Sequence, residues 1–184
     1  MKKLFIACIL ILSLFGLTSA ATLSGVSAIG CKFGPIFGPE LVTNGGMEDG
    51  DPPTGWITVE SPDNFEQSIT QVHSGIYSCR YKSSSSSWAD FHQAVDLPIY
   101  KPVRLSFWYY LVSGQLTVKQ TDNNGSAILY NQTFTNTGEW TYVIASYTST
   151  YPINPEPGVD ALISFGRDGA FEIYIDDVSI KEIQ

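Results

Sequence analysis

The sequence predicts an all-β protein, a jelly-roll β-sandwich of two antiparallel sheets. From Leu41 onward, no segment repeats its apolar residues with a sustained helical period. Short apolar and aromatic runs are separated instead by clusters of Gly, Asn, Ser and Pro, which is typical of sandwiches and barrels. About eight such runs fit within one domain, enough for two sheets that bury a shared core.

The chain begins with a segment, residues 1–20, that has the build of a secretory signal peptide. A pair of lysines precedes an apolar run at residues 4–17 and small residues at 18–20. The apolar run is shorter than the ~20 residues needed to span a bilayer, so we expect cleavage rather than anchoring. The mature chain is therefore predicted to be secreted, without membrane insertion.

The remaining chain divides into a loose lead-in, residues 21–40, and a β-sandwich domain, residues 41–184. The lead-in repeats Phe-Gly-Pro within "FGPIFGPE", which turn chemistry explains. Loss of a signal peptide with two lysines and no acids changes the formal charge from −8 to −10. An acidic surface with few cations argues against nucleic acid and anionic membranes as partners.

Two cysteines, Cys31 and Cys79, remain after the predicted cleavage. In an exported protein such a pair favours a disulfide over two free thiols. An alternative interprets "AIGC", which ends at Cys31, as a lipid-attachment sequence. That sequence lacks the usual large aliphatic residue three positions before the cysteine and lies well past the apolar run.

The run "RLSFWYYLV" alternates as a half-buried strand does. Because successive side chains of a strand point to opposite faces, one face carries Leu105, Phe107, Tyr109 and Leu111. The opposite face carries Ser106, Trp108 and Tyr110. If the aliphatic face covers the core, the two large aromatic residues Trp108 and Tyr110 lie on the outer surface of a sheet.

Other runs follow the same pattern. In "WADFHQAVDL", the face with Phe91, Val95 and Leu97 is opposite Trp88, Asp90 and His92. In "QLTVKQ", the face with Leu116 and Val118 is opposite Gln115, Thr117 and Lys119. The runs "EWTYVIASYT", "ALISFG" and "FEIYIDDVSI" complete the predicted strands, and "TDNNGSA" is a hairpin signal because Asn-Gly suits positive backbone angles.

Five motifs follow one another in order: "NGGMEDG…GW", "HSGIYSCRY", "QAVDLPIYKPVRLSFWYYL", "GEWTYVIASY" and "FEIYIDDVSI". The series resembles the calcium-containing β-sandwich carbohydrate-binding modules, such as families four and twenty-two, of the galactose-binding-domain-like fold. The resemblance spans roughly residues 41–182, and Met47 stands where those families have Phe. The matching residues are Asn44, Gly45, Glu48, Gly55, Trp56, Ser74, Gly75, Tyr77, Ser78, Ile175, Asp176, Val178 and Ser179.

The resemblance implies a structural calcium ion that joins the two ends of the domain. Calcium takes six to eight oxygen ligands, so it combines carboxylates from distant segments with main-chain carbonyls. The implied ligands are the carboxylates of Glu48 and Asp176 and carbonyls near Ser74, whereas Asp177 is interpreted as a turn or surface group. Without an ion, Glu48 is a solvated acid in a turn and Asp176 a strand-end cap.

The exposed aromatic residues form the predicted sugar site. Sugar rings stack their C–H faces on indole and phenol rings, and their hydroxyls bond to nearby polar groups. Trp108 and Tyr110 are the first candidates, and Trp88 and His92 lie on the same kind of face of another strand. Polar neighbours predicted to bond the hydroxyls are Gln115, Thr117, Lys119 and Asp90, while Trp56 and Trp140 are predicted core residues.

These patterns predict a secreted, non-catalytic carbohydrate-binding domain whose partner is an extracellular polysaccharide or glycan. The alternative is a surface or adhesion protein that uses the same face for contact with a protein. A glycoside-cleaving enzyme ranks third, because no pair of carboxylates is singled out by the sequence. The two histidines, His73 and His92, do not have the spacing of a metal-binding motif.

Overall fold

The computed structural model describes residues 34–59, 62–121, 127–135, 138–148 and 161–184. The predicted signal peptide and Cys31 lie outside these ranges, as does the predicted hairpin turn at Asn124-Gly125. The lead-in is described from residue 34 onward. None of the described segments is a helix long and apolar enough to cross a membrane.

The described ranges contain eleven β-strands and no helix. They are β1 Phe37–Glu40, β2 Ile57–Thr58, β3 Asn64–Ser68, β4 Ser78–Ser83, β5 Trp88–Val95, β6 Pro102–Ser113, β7 Leu116–Thr121, β8 Ile128–Phe134, β9 Trp140–Thr148, β10 Ala161–Asp168 and β11 Phe171–Ile183. Every run predicted from alternation falls on one of these strands.

The strands form two sheets in which every pairing is antiparallel. The six-stranded sheet has the order β3-β4-β11-β6-β9, and β1 pairs with the C-terminal part of β11. The five-stranded sheet has the order β2-β5-β10-β7-β8. The predicted all-β sandwich of two antiparallel sheets is confirmed.

Aromatic rings from both sheets meet in the core between them. Phe91 of β5 contacts Tyr81 of β4 at 5.3 Å between ring centroids and Phe165 of β10 at the same distance. Trp56 packs edge-on against Phe91 at 5.5 Å and is almost fully buried, so its predicted core position is confirmed. Such aromatic contacts add about 0.5–1.5 kcal/mol each to the free energy of area burial.

Strand β6 buries the face that its alternation predicts. Its inward residues, Val103, Leu105, Phe107, Tyr109 and Leu111, are essentially inaccessible to solvent. Its other residues point away from the core and leave Trp108 and Tyr110 partly exposed. The register of side chains on this strand is therefore set by its hydrophobic pattern.

The glycine-rich stretch that begins at Asn44 packs against the last strand. The Val178 N–H donates to the carbonyl of Gly45 at 2.9 Å, and the Trp56 indole donates to the carbonyl of Asn44 at 3.2 Å. A Cβ on Gly45 would lie 1.9 Å from the carbonyl oxygen of Val178. Only glycine permits this approach of two backbones.

The fully buried Cys79 lies in β4, and burial raises the pKa of its thiol. Within the described ranges Cys79 has no disulfide partner. Because Cys31 lies outside those ranges, both the disulfide and the alternative lipid attachment stay predictions.

Charged side chains of β3, β4 and β11 pair on the outer surface of the six-stranded sheet. Arg80 donates to Glu172 at 2.7 Å and to Glu66 at 2.9 Å, and Lys82 lies 3.4 Å from Glu172. Burial raises the pKa of Glu172, but the hydrogen bond and charge of Arg80 outweigh it and leave that pKa below its usual value. The ionised form of Glu172 therefore contributes to stability.

We expect Gly45→Ala to lower the free energy of unfolding by about 2–3 kcal/mol, because the new methyl group forces the Gly45 and Val178 backbones apart. Gly46→Ala is the matched control, since the nearest atom to its Cβ is Glu48 Cγ at 3.9 Å. Urea unfolding of both variants measures the difference. Equal stabilities of the two variants would contradict the close packing at Gly45.

We expect Glu172→Gln to lower the free energy of unfolding at pH 7 by about 1–2 kcal/mol, as for a lost charged hydrogen bond. The pKa of Glu172 in the folded state lies below its ordinary value of 4.5, so its contribution is present above pH 4.5. That contribution disappears as the pH falls through the folded-state pKa. Unfolding curves between pH 7 and acid conditions test this; a pH-independent difference between wild type and variant would contradict it.

Candidate functional site

The predicted sugar-binding residues lie on two opposite outer faces of the sandwich. Trp108 and Tyr110 belong to β6 of the six-stranded sheet. Trp88 and His92 belong to β5 of the five-stranded sheet, and Gln115 immediately precedes β7 of that sheet. Because the outer faces of two packed sheets point in opposite directions, these residues cannot form a single site.

We call the first surface the Trp88 face. It comprises the outward residues Trp88, Asp90, His92, Ser164 and Lys119 of the five-stranded sheet. Alternate residues of β5 share one side of the strand, which places the first three in a row. Asp90 Oδ2 accepts a hydrogen bond from the Trp88 indole at 2.8 Å, and Asp90 Oδ1 lies 3.1 Å from His92 Nδ1. One carboxylate therefore fixes the orientation of both rings.

Polar side chains cross the Trp88 face in a second direction. The register aligns His92, Ser164, Lys119 and Asn131 on four neighbouring strands. Lys119 Nζ lies 3.4 Å from the centroid of the Trp88 ring, a cation–π contact that covers one side of the indole. An ammonium group and an amide thus lie near an aromatic ring, and the hydroxyl and imidazole in the same row are 7% and 8% exposed.

One glycine shapes the Trp88 face. Gly166 pairs with Asp90 on one side and Thr117 on the other, and its Cβ would lie 2.2 Å from the carbonyl oxygen of Ala89. Because Gly166 has no side chain, nothing projects between Asp90 and Thr117 on the two strands that flank it. Gln115, at the edge of this sheet, accepts a hydrogen bond from Arg167 at 2.8 Å.

We call the opposite surface the Trp108 face. Its rings come from three adjacent strands, and they are Trp108, Tyr110, Trp140, Tyr142 and Tyr174. Centroid distances are 5.0 Å between Trp108 and Tyr142 and 5.9 Å between Tyr110 and Trp140. Tyr142 is 47% exposed.

The expectation that Trp140 is a core residue is wrong. Trp140 is only partly buried and lies on the Trp108 face. The inward residue of that segment is Val143, so Tyr142 and Trp140 share the outer side of β9. The alternation of "EWTYVI" already indicates that Trp140 and Tyr142 lie on the side opposite Val143.

The structure adds one ring that the sequence did not place, the imidazole of His73. It stacks on Trp108 with 3.8 Å between centroids and an interplanar angle of 16°. Asp177 holds it there, because Asp177 Oδ2 lies 2.7 Å from His73 Nδ1. Asp177 also accepts a hydrogen bond from the Ser74 hydroxyl at 2.7 Å, so it does more than the turn or surface role predicted for it.

The predicted calcium ligands Glu48 and Asp176 both bind the backbone of the loop at residues 73–77. Glu48 Oε1 accepts hydrogen bonds from the N–H groups of Ile76 at 2.9 Å and Tyr77 at 3.1 Å. Asp176 Oδ2 accepts from the N–H groups of His73 and Ser74, both at 3.0 Å. The structure therefore brings Glu48, Asp176 and Ser74 to one loop.

One member of this set, Asp176, is a buried carboxylate of the kind that a hard cation takes as a ligand. Asp176 is completely buried, and its burial raises the pKa of the carboxyl to about 6 although the Ser74 N–H opposes the shift. The ligand atoms found within 4.8 Å of one another belong to Asp176, Asp177 and His73, and in the described ranges Glu48 is not part of this group. A nearby divalent cation would offset the cost of burying this negative charge, and the two carboxylates and the Ser74 carbonyl are ligands of the type that calcium prefers.

The described ranges thus form two packed antiparallel sheets with aromatic side chains on their outer faces. A family model described as "Carbohydrate binding domain" matches residues 39–156, more than half of the chain. The chain therefore belongs to this carbohydrate binding domain family. A search of curated protein sequences finds no match.

Solved structures share the fold. TmCBM61, solved with β-1,4-galactotriose, is 19% identical with a TM-score of 0.56, covering 78% of this chain and 98% of that one. The CBM22-1 xylan-binding domain from Paenibacillus barcinonensis is 16% identical with a TM-score of 0.54, covering 82% and 96%. A cyclase from Fischerella sp. TAU is 14% identical with a TM-score of 0.62, covering 81% and 98%.

Proposed function

We propose that this chain is a secreted, non-catalytic domain that binds an extracellular polysaccharide or glycan on the Trp88 face. The observation that carries the proposal is the bond from the Trp88 indole to Asp90, which holds a large ring in place among polar side chains. Membership of the carbohydrate binding domain family and the structural likeness to glycan-binding modules support the same class of ligand.

The chemistry of the Trp88 face suits a sugar chain. An ordered indole offers an apolar surface for the C–H face of a pyranose ring. His92, Ser164 and Lys119 offer donors and acceptors for the hydroxyls around that ring. Because Asp90 already bonds to two rings, less ordering entropy is lost when a ligand binds to them.

The Trp108 face fits this role less well. One side of each indole is covered, that of Trp108 by the His73 ring and that of Trp88 by the Lys119 ammonium, but the ammonium can itself donate to a sugar hydroxyl. Tyr110 packs edge-on against Trp140 and Tyr174, with interplanar angles of 64° and 80°. The sugar-binding role that the sequence predicts for Trp108 and Tyr110 is the alternative to this proposal, and the two faces are tested side by side.

The non-catalytic part of the proposal is supported by the surroundings of Asp90. This carboxylate is at the centre of the Trp88 face and is 5% exposed. Its two oxygens are directed at the Trp88 and His92 rings and not at the open side of the face. Secretion is supported by the signal-peptide pattern of residues 1–20.

We also propose that calcium binds at the loop of residues 73–77, with Glu48, Asp176 and the Ser74 carbonyl as ligands. When bound, the ion would stabilise the connection between the opening loop and β11. Glu48 and Asp176 come from segments 128 positions apart and meet at one loop, which supports the proposal.

We expect Trp88→Ala to weaken glycan binding about thirtyfold, as for the loss of a central tryptophan worth roughly 2 kcal/mol. A glycan array, followed by affinity gels with each retained polysaccharide, measures the change. The matched variant is Trp108→Ala with Tyr110→Ala, which we expect to bind nearly as wild type does. If only this double variant loses retention by the polysaccharide gels, the site lies on the Trp108 face. If folded wild type is retained by none of the glycans, glycan binding is refuted.

We expect calcium at about a hundredfold excess over its Kd to raise Tm by roughly 5–10 °C relative to chelated protein. Glu48→Gln should abolish this rise in Tm because the ion loses a carboxylate ligand. The control variant Asp49→Asn, in the same loop, should keep the rise in Tm. Thermal unfolding with and without chelator measures the increments, and protein shown to be metal-loaded whose Tm does not change with chelator would contradict the calcium site.

A further inference from the structure

Asp90 has an unusual position for an acid on the outer surface of a sheet. It is 5% exposed, and its two oxygens face two ring nitrogens of its own strand, Trp88 Nε1 and His92 Nδ1. An indole N–H is only a donor, so Asp90 acts as an acceptor at that end. An ionised carboxylate accepts at both ends, so Asp90 Oδ1 pairs with a His92 Nδ1 that carries a proton.

The proton on Nδ1 determines what the other side of the His92 ring does. A neutral imidazole carries one N–H and one bare nitrogen, so a proton held on Nδ1 leaves Nε2 as an acceptor. Within the described ranges no group donates a hydrogen bond to His92 Nε2. The cross-strand neighbours of His92 are Ile57 on β2 and Ser164 on β10.

We infer that Asp90 is a positioning residue which fixes His92 Nε2 as an acceptor for a hydroxyl donated by the bound glycan. This inference rests on the proposed function, because it assigns a role within the Trp88 face. A sugar hydroxyl both donates and accepts, so it pairs with a bare ring nitrogen and with a cation on the same surface. Lys119, whose ammonium lies over Trp88, is the complementary donor.

The inference narrows the ligand to glycans with a free hydroxyl directed at His92. A sugar whose hydroxyl is capped as a methyl ether keeps its oxygen acceptor and loses its donor. Nε2 then faces an oxygen that cannot donate to it. The Trp88 face would therefore discriminate against such a glycan, although stacking on the indole is retained.

The protonation of His92 is measured without any ligand. The chain has two histidines, so two sets of imidazole signals are expected in long-range ¹H–¹⁵N spectra. Both are expected to show Nδ1–H, because each Nδ1 lies beside an aspartate. Asp90→Asn should change only the set from His92, and Asp177→Asn only the set from His73. A proton on Nε2 of His92 in wild type would overturn the inference.

Binding is measured with soluble xylan and β-1,4-galactan in affinity gels. His92→Phe, which keeps a ring and loses the acceptor, should weaken retention about fivefold to tenfold. His92→Gln, which keeps an acceptor, should restore most of it, and Asp90→Asn should weaken it. Wild type should also retain unsubstituted xylan more strongly than its methyl ether.

The outcomes separate the inference from the function on which it depends. If wild type retains both glycans and a folded His92→Phe variant retains them equally, the acceptor role of His92 is overturned. Glycan binding itself is then left intact. Failure of wild type to retain xylan and galactan, and every glycan of an array, overturns the proposed function together with the acceptor role. If His92→Phe does not fold, the comparison between xylan and its methyl ether with wild type decides, and equal retention overturns the inference.

Discussion

The binding of one loop by two carboxylates, the buried Asp176 and the exposed Glu48, is the interaction on which the rest of this structure depends. Glu48, from the opening of the domain, and Asp176, from the last strand, both accept hydrogen bonds from backbone N–H groups of residues 73–77. β11 pairs with β1, β4 and β6, so a loop attached to it is attached to most of the six-stranded sheet. The ends of the chain segment that forms the sandwich are thus joined through side chains as well as through the sheet.

This attachment also determines the character of the Trp108 face. The loop brings His73 onto the Trp108 ring, and Asp177, next to Asp176, holds the imidazole there. The loop of residues 73–77 therefore has two effects. It connects the two ends of the domain, and it brings a ring onto the surface of the six-stranded sheet. In the described part of the chain the Trp88 ring is covered on one side by Lys119 and not by a loop ring, and its order comes from Asp90 within β5. The two faces differ because different local contacts hold their aromatic rings.

Much of the fold was predictable because strand alternation is a local property. The period of two in β6 predicts its inward and outward residues correctly. Successive side chains of a strand point to opposite faces, and this follows from backbone geometry alone. The same rule applied to β9 would have placed Trp140 outward, and that error came from giving a motif more weight than the pattern around it. His73 was missed because its partners Trp108 and Asp177 are far away in sequence.

The sequence by itself determined the all-β class with two antiparallel sheets and the inward residues of strands such as β6, whose alternation is clean. Only the tertiary structure decided that Trp88 and Trp108 lie on opposite sides of the sandwich. Alternation states that both rings point away from the core, but it contains no information about which sheet each strand joins. That assignment comes from long-range pairing of β5 with β10 and of β6 with β11, and pairing partners are selected by packing of the whole chain.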